Sequence, residues 1–194
     1  AASPPEDKPN RFSVGVALGH SIANLLRPER HGRWQPLNES RSVIEENLHG
    51  SPLGEISARY AISTYAGKKD FVGGFSVGYE SVYKDPGSHR YELKNIPCFL
   101  SAEMVNYFSL GGLSLFGSYG VGSGINFLWE TLDAEGSGIH EKHSGYGFLL
   151  MGRSSLGMEI GNNWKIALNF NPTLRRRLDS YPLLLSVEYT LSGD

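Results

Sequence analysis

Apolar side chains recur at every second position through most of this chain, and that spacing constrains its fold more than any other feature. A period of two puts successive side chains on opposite faces of an extended backbone, so it marks strands. The last such segment shows the pattern plainly. Leu183, Leu185, Val187, Tyr189 and Leu191 share one face, and Leu184, Ser186, Glu188 and Thr190 share the other. In the segment before it, Trp164, Ile166, Leu168 and Phe170 oppose Lys165, Ala167, Asn169 and Asn171. Eight strands are predicted, at about 11–24, 54–66, 70–84, 93–109, 112–130, 144–160, 163–175 and 182–192. Residues 1–10 are polar and proline-rich and read as an exposed tail ahead of one domain spanning 11–194. Pro97 and Pro172 lie inside predicted strands, where each removes a ladder hydrogen bond, so a bulge is expected at both.

The connections sort into two kinds. Gly67-Lys68-Lys69, Leu110-Gly111-Gly112 and Gly161-Asn162-Asn163 are short turns rich in residues that accept positive φ. The others, 25–53, 85–92, 131–143 and 176–181, are longer and polar, and long alternates with short along the chain. An up-and-down barrel with both termini on one side predicts this alternation, whereas a soluble sandwich has no reason to sort its loops. Composition agrees: 24 glycines suit tight turns and close-packed strands better than long helices. The 18 basic residues against 20 acidic argue against a nucleic-acid partner. A single cysteine, Cys98, excludes an internal disulfide framework and a cysteine-based zinc site. The opening Ala1-Ala2-Ser3-Pro4-Pro5 reads as the start of a mature exported protein after signal-peptide cleavage.

Alternation of this kind fits two barrels. A soluble lipid carrier of the lipocalin type is apolar inside, and a small membrane barrel is apolar outside. The charges decide. Arg59, Glu80, Glu103, Arg153 and Glu188 fall on the less apolar faces, at similar distances from the short turns. Turned toward lipid, an arginine at the midplane costs ~2–4 kcal/mol. Turned into a closed lumen, two arginines and three glutamates neutralise one another, so an internal ion network is expected. Aromatic residues agree with the membrane choice. Phe12, Phe71, Phe108 and Trp164 adjoin the short turns, while Phe127, Trp129, Tyr146 and Tyr181 adjoin the long connections, as two interfacial girdles would.

On strand number, loop order and internal charge, the chain resembles the eight-stranded outer-membrane barrels typified by the OmpA transmembrane domain and OmpX. The resemblance runs from Arg11 to Ser192 and implies an all-β, up-and-down transmembrane barrel in the bacterial outer membrane. This scaffold hosts adhesins, anchors, complex subunits and lipid enzymes, so it implies no single activity. A surface, anchoring or complex-forming role is favoured, with lipid A modification as the alternative.

Deacylases on this scaffold pair a serine with a histidine on the lipid-facing wall. Here the candidates are His20 with Ser21 and His143 with Ser144. Neighbours on a strand point to opposite faces, so adjacency alone builds neither pair into a dyad. His31, His49, His89 and His140 fall in long connections without metal-ligand spacing. Gly120-Val121-Gly122-Ser123-Gly124 lacks the lysine and helix of a phosphate loop and reads instead as space left for Arg59 or Arg153, so no cofactor is expected. Arg27, Arg30 and Arg33 in the first connection, and Arg175, Arg176 and Arg177 beside the last, are expected to face lipopolysaccharide phosphates. The first connection also carries a capping box, Ser42 to Glu45, with Gly50 placed to end a short helix. A connection of that length is the expected site for a protein partner.

Overall fold

A computed structural model describes residues 10–26, 49–50, 52–64, 69–84, 89–134, 139–161, 163–175 and 178–191. Ten strands are present: β1 (Arg11–Leu26), β2 (His49–Gly50), β3 (Pro52–Thr64), β4 (Lys69–Lys84), β5 (His89–Leu110), β6 (Leu113–Ala134), β7 (Ile139–Ile160), β8 (Trp164–Phe170), β9 (Thr173–Arg175) and β10 (Leu178–Leu191). Two of them are continuations. β2 prolongs β3 against β4, and β9 prolongs β8 beyond Asn171-Pro172 against β7 and β10. The result is eight spans, each antiparallel to its sequence neighbours. β10 pairs back onto β1 from Phe12 opposite Leu191 to Leu26 opposite Leu178, which closes the ring. The fold is an all-β, eight-stranded, up-and-down barrel.

Alternation becomes two surfaces. Leu18, Ile56, Leu100, Val121, Phe148, Leu156 and Leu185 are all more than half exposed on the outer wall. No soluble exterior shows such a band, but lipid requires one, and a closed ring leaves no strand edge unpaired within it. Phe12, Phe71, Phe108 and Trp164 stand outward near the turns, and Phe127, Trp129 and Tyr146 stand outward toward the other end. At the β5–β6 hairpin Gly111 and Gly112 have φ of 57° and 86°, the two left-handed positions that a two-residue turn demands.

The strand ends depart from the sequence reading. β5, β6 and β7 each run 22 residues, against the 9–11 or so that cross a bilayer, so they rise well past the apolar band. The connections expected at 85–92, 131–143 and 176–181 shrink to 85–88, 135–138 and 176–177. Their polar residues continue the ladder as strand. Gly50 pairs with Val82 in β2 rather than ending a helix. The prolines form no bulges: register along β5–β6 and along both sides of β8–β9 passes Pro97 and Pro172 unshifted. The irregularity in the seam lies instead between Ser21 and Asn24, opposite Ser180 to Pro182.

Candidate functional site

The inward positions fill the barrel. Small apolar groups occupy part of it, with Ala17, Leu53 and Leu184 in one cluster and Val72, Val105, Phe116 and Ala167 in another. Charged and neutral polar side chains take much of the rest, with charges at inward positions of β1, β3, β4, β5, β7, β8, β9 and β10.

Arg59 is the hub of the middle. Its Nη1 donates to Glu188 Oε2 and its Nη2 to Glu103 Oε2, both at 2.7 Å. Ser13 Oγ donates to Glu188 Oε1 at 2.6 Å, and Ser118 Oγ donates to Glu103 Oε2 at 3.2 Å. Arg153 joins from across the lumen, with Nε 3.4 Å from Glu103 Oε1 and Nη2 3.2 Å from Glu55 Oε1. Below this mesh, toward the short turns, Tyr107 links three strands. Its hydroxyl accepts from Lys165 Nζ at 2.7 Å and donates to Asp70 Oδ2 at 2.7 Å. Arg11 also pairs with Asp70, and Lys165 Nζ lies 3.6 Å from Glu159 Oε1. Charges withdrawn from water need such partners, since a lone one would cost several kcal/mol.

Of the five ionic residues expected together, Arg59, Glu103, Arg153 and Glu188 meet in one network. Glu80 stands apart, nearer the other rim, and pairs with Arg175. That pairing corrects two expectations. The five charges do not share one level, and Arg175 does not face outward, because its side chain is 3% exposed inside the lumen. β9 keeps the inward parity of Lys165, Ala167, Asn169 and Asn171, so the first of the three arginines still points in. Arg27, Arg30, Arg33, Arg176 and Arg177 lie outside the described residues, as does the predicted capping box. The glycines of β6 serve β5 more than the arginines. A side chain at Gly120 would collide with Glu103 and the Ala102 carbonyl, and one at Gly122 would crowd the Leu100 carbonyl and Met151.

Neither serine–histidine candidate forms a dyad. His20 is exposed on the outer wall with Nδ1 2.9 Å from the Ser21 carbonyl. Ser21 is buried on the inner face, where its Oγ accepts from the Tyr181 N–H at 3.4 Å. His143 faces Glu130 in the β6–β7 register, while Ser144 faces Trp129, which projects outward. No group of three metal-binding side chains occurs among the described residues. Sequence reasoning missed Arg11, Glu55, Asp70, Tyr107, Glu159 and Lys165. A signal for each was present, because each holds the inward parity of its own strand.

No protein-family model matches the chain, and no curated protein is similar to it in sequence. Solved structures do resemble it. Neisserial surface protein A superposes with a TM-score of 0.52 at 13% identity, over 95% of this chain and 100% of that one. The attachment invasion locus protein Ail of Yersinia pestis gives 0.47 at 14% identity, over 94% and 97% of the two chains. OprG of Pseudomonas aeruginosa gives 0.41 at 10% identity, over 95% and 96%. The superposition on the neisserial protein concerns fold alone, and its fold is that of this chain over nearly its whole length. With the apolar exterior and the closed ladder, this is an integral membrane barrel of the bacterial outer-membrane kind.

Proposed function

We propose that this barrel is a non-conducting outer-membrane scaffold with a structural, anchoring or surface-interaction role and no catalytic one. The observation that carries this reading is the ionic mesh across the lumen. Arg59 and Arg153 tie carboxylates from β3, β5 and β10 together, and two spaces among the described residues on either side of the mesh measure about 40 and 10 Å³. Such spaces hold a few waters and no passing solute. With the interior spent on stability, contact with other molecules falls to the wall and the outer connections. On this reading the first connection, 25–53, is the seat of any protein contact. Arg27, Arg30, Arg33, Arg176 and Arg177 meet the phosphates of surrounding lipopolysaccharide.

Planar-bilayer recording tests the central statement. The refolded protein should give no stable open channel, and a large steady conductance would overturn the reading. Mass spectrometry of lipid A from cells with and without the protein should give identical spectra, whereas loss of an acyl chain would establish the enzymatic alternative. Deleting residues 28–50 should leave the heat-modifiable gel shift of a folded barrel intact while abolishing any partner binding.

A further inference from the structure

The outer wall is not the same all the way round. Between the two aromatic girdles, β6 and β7 carry three hydroxyls at outward positions, on Tyr119, Ser123 and Ser154. The wall across the barrel, formed by β1 and β3, carries Val14, Val16, Ile56 and Ala58 instead. Register fixes the depth of the hydroxyls. Phe108 of the turn-side girdle lies opposite Leu115, and Phe127 belongs to the other girdle, so Tyr119 and Ser123 fall midway between.

The relief of this wall is also particular. Tyr119 stands opposite Ser154 and Val121 opposite Gly152 in the β6–β7 register. Both large side chains are therefore on β6, where they are 63% and 68% exposed, and both small ones are on β7. A ridge on one strand runs beside a hollow on the next. Large also meets small between β3 and β4, as Tyr60 with Gly73 and Phe75 with Ala58, but there the large members alternate between the strands and raise no ridge. Lipid chains are fluid and fill any contour. A second copy, turned about a two-fold axis along the membrane normal, fits its ridge to this hollow and takes this ridge into its own. Small residues in the hollow let the two backbones approach.

Hydrogen bonding follows the same symmetry. Ser154 Oγ donates to the Phe170 carbonyl at 3.3 Å, which leaves its lone pairs free to accept. The Tyr119 hydroxyl has a hydrogen to give, at a depth where lipid offers no acceptor. Across the two-fold, each Tyr119 reaches Ser154 of the other copy. We propose that two copies of this barrel pair in the membrane through their β6–β7 walls, with Tyr119 and Val121 of each seated over Ser154 and Gly152 of the other.

Förster transfer between N-terminally labelled donor and acceptor copies, mixed in phospholipid vesicles and diluted with lipid, tests the pairing. Transfer in the unmodified protein should persist at protein-to-lipid ratios where chance proximity gives none. Ser154→Leu fills the hollow and should need several-fold more protein per lipid to reach half-maximal transfer. Tyr119→Phe keeps the ridge but loses the hydroxyl, and should shift the half-point less, in the same direction. Val16→Phe adds bulk to the far wall and should shift nothing. Gly152 is left unchanged, because a Cβ there would meet Pro172 at 3.2 Å. Transfer that only tracks chance proximity would mean that lipid alone covers the wall, and would overturn the proposal. An unchanged half-point in Ser154→Leu with its gel shift intact, or an equal shift in Val16→Phe, would overturn it too.

Discussion

Toward the short turns, the buried polar groups of the lumen are matched almost atom for atom by other side chains, whereas toward the other end several meet no partner among the described residues. The turn side is built from long charged residues on opposing strands. Arg59 takes two carboxylates, and Lys165 and Arg11 share Tyr107 and Asp70. On the loop side the buried pair of Glu80 with Arg175 sits among asparagines: the amides of Asn95 and Asn126 meet at 3.5 Å, and that of Asn171 meets no group among the described residues. A lumen of this diameter needs closing at only one level.

The contrast should appear as a difference in the cost of removing an arginine. Arg59→Met takes the arginine from Glu188 and leaves Glu103 to Arg153 alone, and should destabilise the barrel by about 3–5 kcal/mol, read from the urea midpoint of the gel-shift transition in lipid vesicles. Adding Glu188→Gln to that variant should recover part of the loss. Arg175→Met takes the partner from one carboxylate, Glu80, where Arg59→Met takes it from two, and should cost less, about 1–3 kcal/mol. Equal costs for the two arginines would erase the distinction between the halves. The neutral groups sharpen it. Tyr107→Phe removes one hydroxyl that serves Lys165 and Asp70 and should cost about 1–3 kcal/mol in the same assay. Asn171→Leu removes an amide that meets no partner among the described residues, so the midpoint should move least of the four, by under ~1 kcal/mol.

The barrel wall was readable because lipid favours apolar side chains at outward positions, and Leu183, Leu185, Val187, Tyr189 and Leu191 keep that alternation throughout β10. That constraint stops where lipid stops. Near the outer end of β7, His140, Lys142, His143 and Ser144 are all exposed, the apolar period of two disappears, and segments such as 131–143 look like loops although the ladder continues through Ala134 and resumes at Ile139. Arg175 was misread for a related reason. Three arginines in a row suggest a solvated cluster, and only counting parity from Lys165 reveals that the first points inward. Depth is the quantity that one strand cannot supply. Glu80 and Glu103 carry the same signature in sequence, but the stagger between strands sends one to Arg175 and the other to Arg59.

The seam between β1 and β10 joins residues almost a whole chain apart, Phe12 with Leu191 at one end of it. No local hairpin can form it, since loop-closure entropy must be spent before its first rung gives anything back. Every other wall joins strands that follow one another in the chain, and the ring gains its last contacts only when the final strand arrives. Until then two open edges, one at each terminal strand, must be kept from pairing with other chains. For this protein, assembly is therefore a problem of holding the first strand available until the last one reaches it.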